Sequence, residues 1–281
     1  MENRKKGIIY ILLSSLFFAL MASFVKSVSH IPLAEKIFFR NLVGIFSMFW
    51  LIKKNNISLK PNHFKLIALR SLFGLSGVAC YFYAITNLKL ADAVILNKTS
   101  PFFVVVLSVL FLHEKVNRKQ LIALGIALMG VLFVVKPQMD LSILPALVGL
   151  MAAFFAGTAY TIIRNLRLYD DSRIIVFYFC AFSVILMIPF MMFGQFVVPQ
   201  GNDIFNLLMI GVMATTAQFL MTNGYRHAPA SELAVYSYAN ILFSILIGIF
   251  IWTEIPDFFS VVGAILVVAG GIVNYFAVNR S

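Results

Sequence analysis

Charged residues are scarce in this sequence. Of 281 residues only 12% are charged and just 11 are acidic, whereas 61% are hydrophobic and the mean hydropathy is +0.95. A soluble domain of this length has no core large enough for so much apolar side chain. The composition excludes an ordinary soluble protein and predicts a membrane protein. The net charge of +11 then requires no nucleic-acid partner, because basic loops on the cytoplasmic side account for it.

Cysteine and the motifs of common enzymes are also scarce. Cys80 and Cys180 stand inside apolar runs, without the spacing of a disulfide framework or a metal site. There is no HExxH, no paired intramembrane aspartate and no nucleotide-binding loop. We therefore expect no cofactor, no metal and no enzyme. A channel is a further alternative, but it needs a ring or stripe of polar groups, and here the polar residues are scattered.

Long apolar runs make up most of the chain. A bilayer core of about 30 Å needs roughly 20 helical residues, and helices satisfy their own backbone in lipid. Ten runs meet this length: 7–25, 32–52, 64–87, 91–112, 118–135, 144–164, 174–193, 203–224, 231–251 and 258–278. The first is interpreted as a retained span, because it is too long for a signal peptide and lacks a cleavage site. The prediction is an all-α, multi-pass protein.

The basic residues predict the orientation of these spans. Sixteen lysines and arginines fall in segments on the same side as the N-terminus, and four fall on the opposite side. Cytoplasmic segments carry such an excess, so both termini are predicted in the cytoplasm, with the protein in the cell (inner) membrane. The remaining two cations, Arg40 and Lys98, lie inside spans.

The two halves of the chain resemble each other. An offset of 140 residues aligns three pairs: Asp92 with Glu232, Glu114 with Glu254, and Gly130 with Gly270. Residues 1–140 and 141–281 thus form two repeats of five spans each. Five is an odd number, so the second repeat is inverted in the membrane. Inverted repeats are typical of secondary transporters, whose sites lie near mid-membrane between the halves.

Several short motifs carry a resemblance to a known family. They are "FFRNLVG" around Arg40, "YAI" followed by "ADA", the run "SPFFVVVLSVLFLHE" ending in Glu114, and its second copy ending in Glu254. With ten spans in two inverted halves, the whole chain resembles the EamA branch of the drug/metabolite transporter superfamily. The resemblance implies ten helices around a central cavity that opens to either side. It also implies alternating-access transport of small organic metabolites, often amino acids and often outward.

Lys98 and Arg40 are the first candidate site residues. Each lies about seven or eight residues from the outer end of its span, roughly 10 Å deep at 1.5 Å per residue. A charge at such depth costs at least ~2.5 kcal/mol and normally faces a wet cavity or a partner. We expect both side chains to bind an anionic group of the substrate. The alternative, for Arg40 as for Lys98, is that the side chain snorkels outward or pairs with a carboxylate such as Glu35.

The surroundings of Lys98 add polar groups. Pro101 has no N–H, so the carbonyl of Asn97 is left for a ligand or water. The repeat carries Lys98 onto Tyr238, and we predict that these two side chains face each other near mid-membrane, with Asn240 close by. The second copy has no proline at the position of Pro101, so a kink there is expected to be asymmetric.

Four further residues complete the candidate set. Tyr83 and Gln218 are predicted to line the cavity. Glu114 and Glu254 end the fourth and ninth spans, where a carboxylate is better placed to brace the N-terminus of the following helix. Their role, like that of Pro101, is predicted to be structural.

Two classes of cargo fit these residues. An amino acid would use one cation for its carboxylate and Tyr238, Asn240 or a bare carbonyl for its ammonium. An organic anion, such as a carboxylate or phosphate ester, would use both Lys98 and Arg40. One chain holds both halves, so a monomer suffices and a dimer is not excluded. The expected partners are a small-molecule substrate and the lipid bilayer.

Overall fold

The computed structural model describes residues 2–112, 118–136, 143–166, 169–194, 196–227 and 233–279. The regular elements in these ranges are all helical. In chain order they are α1 (Glu2–Ser27), α2 (Leu33–Lys54), α3 (Phe64–Asn87), α4 (Leu90–Asn97), α5 (Ser100–Leu112), α6 (Arg118–Val135), α7 (Leu144–Leu166), α8 (Ser172–Phe193), α9 (Asn202–His227), a 3₁₀ segment (Ala234–Tyr238), α10 (Ala239–Trp252) and α11 (Phe258–Asn279). The all-α prediction is confirmed.

Local sequence explains where several helices begin and end. α8 begins after Asp171, whose carboxylate accepts a hydrogen bond from the Arg173 N–H at 2.8 Å and so caps the helix. α2 begins directly after Pro32, whose ring already has a φ of −55° close to the helical value. α10 ends at Thr253, whose φ of 53° is left-handed and turns the chain out of the helix.

Nine stretches among the described residues are long and apolar enough to cross a membrane. They correspond to nine of the ten predicted spans, and the span without a counterpart among them is the one that contains α2. That helix has 22 residues, but each of its 18-residue windows holds three of the charges at Glu35, Lys36, Arg40, Lys53 and Lys54. The chain is thus a multi-pass membrane protein, and α2 as its tenth span stays a prediction.

The helices pack in pairs, and the 140-residue offset converts each pair either into another packed pair or into itself. α1 packs along α9 as α7 packs along α3, while α2 crosses α8 and α6 crosses α11. Glycine makes the last crossing possible. A Cβ atom on Gly130 would lie 2.9 Å from the Gly263 carbonyl oxygen, and one on Gly270 would lie 2.9 Å from the Ala123 carbonyl oxygen. The backbones of α6 and α11 therefore touch, as small residues allow in membrane helices.

Both halves interrupt a helix at the same point of the repeat. α4 ends at Asn97 and α5 begins at Ser100, so the predicted span 91–112 is two helices and not one. In the second half the 3₁₀ segment ends at Tyr238, the counterpart of Lys98, and α10 follows. This second interruption needs no proline, because the Ala239 N–H donates to the Tyr236 carbonyl in 3₁₀ fashion. The two breaks share a position and differ in form.

A lysine–carboxylate cluster joins the halves at the predicted outer end. Lys26 of α1 donates to the Leu88 carbonyl at 2.8 Å and pairs with Glu254. The other oxygen of Glu254 accepts the Leu90 N–H at the start of α4, at 2.9 Å. Glu254 thus braces a helix of the other half, and the prediction that it braces the following helix was wrong. Glu114 lies outside the described residues.

Asp257 fulfils the capping role that had been predicted for Glu254. Its side chain accepts the Ser260 N–H at 3.0 Å and so caps α11. It also pairs with Lys136 and lies 3.9 Å from the ammonium of Lys89. Partial burial acts to raise the pKa of Asp257, but the hydrogen bonds from Lys136 and Ser260 outweigh it and lower that pKa to about 2. The cluster therefore comprises Lys26, Lys89, Lys136, Glu254 and Asp257.

Candidate substrate-binding site

The break between α4 and α5 places Asn97 and Lys98 in the middle of the bundle. The Lys98 N–H still donates to the Val94 carbonyl at 3.0 Å, which closes the last turn of α4. Pro101 cannot donate to the carbonyl of Asn97, so this oxygen lacks its helical partner. Such interrupted helices, with bare carbonyls near mid-membrane, are where many transporters bind substrate.

Lys98 has no partner for its charge among the described residues. The side chain is partly buried, and neither a hydrogen bond nor an ion pair involves its ammonium. The alternative pairing with Glu35 is wrong, because that carboxylate accepts the Val197 N–H at 3.0 Å in a different part of the bundle. A lysine left in this way costs energy that a bound anion would recover.

Tyr238 and Asn240 lie at the equivalent break of the second half. The Tyr238 ring is buried and fills the space that a side chain at Gly271 would need. The Asn240 amide donates to the Ser15 carbonyl at 2.8 Å and ties α10 to α1. No hydrogen bond joins either side chain to Lys98 in the part of the chain that the structure describes. The facing arrangement of Lys98 and Tyr238 stays a prediction.

Arg40 projects from α2 towards α8. Its Nη1 donates to Oδ1 of Asn41 at 3.1 Å, whereas its Nε is buried without a partner among the described residues. Its guanidinium carbon lies 6.0 Å from the centre of the Phe179 ring. The two helices approach closely because a Cβ atom on Gly44 would lie only 2.7 Å from Sγ of Cys180. Arg40 thus has an aromatic neighbour and no carboxylate partner in the described chain.

Arg70 is a candidate site residue that the sequence analysis missed. It was counted among the cytoplasmic cations, yet it is six residues inside α3 and its guanidinium carbon lies 4.1 Å from the centre of the same Phe179 ring. Its Nε and Nη1 are buried and unpartnered within the described residues. The sequence did contain an indication that Arg70 lies within the membrane, because its distance from the predicted start of the span is more than one helical turn.

Two tyrosines connect the arginines with the broken helix. Tyr160 of α7 lies within electrostatic reach of Arg40 and Arg70, and also of Tyr81 on α3. Tyr81 in turn lies close to Asn97. Tyr160 is 50% exposed although it lies among these groups. Tyr160 therefore lies at the edge of this group of residues, whereas Nε of Arg40 and Nε and Nη1 of Arg70 are buried.

Tyr83 and Gln218 lie at other places. Tyr83 lines a cleft of 520 Å³ at the predicted outer end, together with Lys36, Thr86 and Asn87. Gln218 is half-buried on α9, which packs against α1 and α2. The structure brings Asn97 and Arg40 towards one region through Tyr81 and Tyr160. The roles of Tyr83 and Gln218 stay predictions.

The polar side chains of this region carry positive charge or hydroxyl groups. Its polar groups are guanidinium and ammonium donors, tyrosine hydroxyls and one bare carbonyl, and the described part of the chain adds no carboxylate to them. In the same residues no group of three or more histidine, cysteine or acidic side chains is placed to hold a metal. Among the described residues of this region, no nucleophile is paired with a base.

Comparison with known proteins gives a consistent family. The sequence matches the EamA-like transporter family over residues 5–136 and 143–276. A solved crystal structure superimposes with a TM-score of 0.68 and 19% identity, over 98% of both chains, which shows the shared fold.

Named relatives are transporters. The chain is 36% identical over 267 residues to the pseudopaline exporter CntI of Pseudomonas aeruginosa, which covers 94% of each chain. It is 29% identical over 279 residues to a transporter of Helicobacter pylori, covering 95% of this chain and 93% of that one. It is 25% identical over 287 residues to human solute carrier family 35 member G1, covering 95% and 78%. The chain therefore belongs to the EamA-like transporter family, within the drug/metabolite transporter superfamily, as its motifs had indicated.

Proposed function

We propose that this membrane transporter moves small organic anions out of the cell by alternating access. One observation carries the proposal: Lys98, Arg40 and Arg70 lie within the helical bundle, and no carboxylate pairs with them among the described residues. Three cations without counter-ions are costly in a membrane protein unless a ligand supplies the negative charge. The transporter family argues against a membrane enzyme or a channel.

Organic anions fit the site better than neutral amino acids do. The ammonium of an amino acid needs an acceptor, and the acceptors near Lys98 are the Asn97 carbonyl and tyrosine hydroxyls. Beside two arginines and a lysine, this positive charge on the substrate would be repelled. Amino-acid derivatives therefore enter the proposed class when they carry more carboxylates than ammonium groups.

Alternating access draws support from the paired packing of the helices. Under the 140-residue offset, α1 corresponds to α7 and α3 corresponds to α9, so the α1–α9 pair is equivalent to the α7–α3 pair. Two inverted repeats, 1–140 and 141–281, would give this equivalence. We further propose ten spans with both termini in the cytoplasm, in the cell (inner) membrane, on the strength of the excess of basic residues in the predicted inner segments. The outward direction is supported by CntI, a relative named as an exporter.

Counterflow in proteoliposomes tests the proposal. Vesicles containing the purified protein are loaded with an unlabelled mixture of amino acids and carboxylates, and uptake of each labelled compound is measured. We expect uptake of carboxylates to exceed that of neutral amino acids. Lys98→Gln and Arg40→Gln should each weaken the apparent affinity for carboxylates about tenfold or more, since each change removes a charged hydrogen bond.

Lys119→Gln is the matched control. It removes one positive charge from an exposed position near the start of α6, so uptake should be unchanged. Equal uptake of neutral amino acids and carboxylates, with Lys98→Gln indistinguishable from the native protein, would reject anions as the cargo.

A further inference from the structure

Two arginines from different helices meet at one aromatic ring. The guanidinium carbon of Arg40 lies 6.0 Å from the centre of the Phe179 ring, and that of Arg70 lies 4.1 Å from it. The two guanidinium groups are therefore at most about 10 Å apart. Cations over an aromatic face are attracted to it, but two of them beside one ring also repel each other. A negatively charged group beside the ring would offset this repulsion.

Arg70 does not reach for the membrane surface. A snorkelling arginine extends its side chain towards the nearer end of its helix, where the charge meets water and headgroups. Arg70 instead contacts Phe179, which is itself seven residues inside α8. Its guanidinium thus lies about 9 Å or more from the helix start, at 1.5 Å per residue.

The local backbone makes room for this position. A Cβ atom on Gly74 would lie 3.2 Å from Nη1 of Arg70 and 3.1 Å from the Phe179 ring. Either contact is tighter than a methyl group normally tolerates, so glycine at 74 keeps open the space that the guanidinium and the ring occupy. Nε and Nη1 of Arg70 remain without partners among the described residues.

We propose that Arg70 is a third substrate-binding residue and that the preferred cargo carries at least two carboxylates. One carboxylate binds between Arg40 and Arg70 beside Phe179, and another binds Lys98. Tyr160 and Tyr81 lie between these two positions and contact the middle of the solute. The inference rests on the proposed transport of organic anions and adds the valence of the anion and the residue that selects it.

The geometry of guanidinium groups supports a carboxylate in this position. Each guanidinium has five N–H donors in one plane and binds a carboxylate through two of them. Three donor atoms that are unpartnered in the described residues, Nε of Arg40 and Nε and Nη1 of Arg70, flank the same ring. One carboxylate between the two side chains would accept hydrogen bonds from both and neutralise their repulsion.

A matched pair of solutes tests the inference on the full-length protein in proteoliposomes. Glutarate has two carboxylates and butyrate has one, and both are measured as competitors of labelled glutarate in counterflow. The native protein should prefer glutarate. Arg70→Gln should weaken competition by glutarate about tenfold or more while changing that by butyrate less than threefold, because only the divalent solute uses both positions. Arg70→Lys should recover part of the preference.

Lys65→Gln is the control, since it removes an exposed cation from the same helix α3. It should leave both competitors unchanged. Gly74→Ala is a second variant that keeps all charges and displaces Arg70 and the ring, and it should reduce the preference for glutarate in the same direction. This variant decides the matter if Arg70→Gln fails to fold.

The outcomes separate the two proposals. If the native protein exchanges no carboxylate, the proposed function fails, and the present inference fails with it. If carboxylates are exchanged but Arg70→Gln weakens glutarate and butyrate by the same factor, or weakens neither, only the role of Arg70 is overturned.

Discussion

The ion pair between Lys26 and Glu254 is expected to hold the predicted outer end closed. It joins α1 in the first half to the link between α10 and α11 in the second, and Glu254 also accepts the Leu90 N–H at the start of α4. Opening of the transporter to the outside requires these contacts between the halves to separate. Glu254→Gln removes the charge and keeps the size of the side chain. We predict that it shifts the protein towards the outward-open conformation.

The exposure of the pair sets the size of the effect. The side chains of Lys26 and Glu254 are 12% and 21% exposed, so the pair is neither fully buried nor free in water. Breaking a buried pair costs roughly 3–5 kcal/mol, and an exposed pair is worth roughly 0–1 kcal/mol. A value of about 2 kcal/mol lies between these limits and corresponds to about a 30-fold shift between the two conformations.

Labelling of an introduced cysteine measures this shift. Cys80 and Cys180 are the only two cysteines in the sequence, and both are replaced by alanine. Asn97→Cys then reports access to the site for a membrane-impermeant maleimide added outside intact cells. The labelling rate follows the outward-open population, so Glu254→Gln should raise it up to about 30-fold. Lys26→Gln should raise the labelling rate by a similar factor. The double variant should be labelled little faster than either single variant, because both changes break the same ion pair.

A change of charge elsewhere provides the control. Asp171→Asn removes a carboxylate just before α8 that pairs with Arg173 in the first turn of that helix, and should leave outside labelling unchanged. The reasoning is refuted if Glu254→Gln labels at the background rate while its melting temperature shows that it is folded. It is equally refuted if Asp171→Asn accelerates labelling as much as Glu254→Gln does.

Three further predictions address the fold and the site. Pro101→Ala supplies an N–H for the carbonyl of Asn97, and we expect counterflow to fall about tenfold while the melting temperature stays equal or rises. Gly271→Ala inserts a methyl group where the Tyr238 ring lies, and its overpacking should cost roughly 1–3 kcal/mol, seen as a lower melting temperature in detergent. The depressed pKa of Asp257 means that its ion pair stabilises the fold above about pH 4 and loses this effect as the pH falls towards 2. The difference in melting temperature between the native protein and Asp257→Asn should thus be constant from pH 8 to pH 5 and shrink below pH 4.

The elements could be predicted from sequence because lipid imposes a simple rule. A span must be apolar and about 20 residues long, so hydropathy alone finds the helices, and two predicted spans, 64–87 and 118–135, match α3 and α6 at both ends. The interruptions were harder to predict. Proline explains the first, but the 3₁₀ segment that ends at Tyr238 carries no proline and depends on packing between the halves.

Candidate site residues could be predicted from the sequence only where a charged residue lies deep within an apolar span. Lys98 and Arg40 stood out because they lie deep in apolar runs. Arg70 lies nearer to a span end, where arginine is ordinarily a membrane-surface residue, and only its contact with the ring of Phe179 on another helix makes it a candidate site residue. The contact of Glu254 with α4 was also beyond prediction, because it joins residues 164 positions apart.

The lysines of the outer cluster have no charged counterparts in the second repeat. The 140-residue offset takes three lysines to uncharged residues: Lys26 to Leu166, Lys89 to Pro229, and Lys136 to Phe276. Two halves that are alike in fold therefore carry different charges at the two ends, and we expect the empty protein not to divide its time equally between its two faces. Apparent affinity falls with the fraction of molecules that present the site. Solute should saturate the inner face at a lower concentration than the outer face, while the gradient alone sets the direction of net flow.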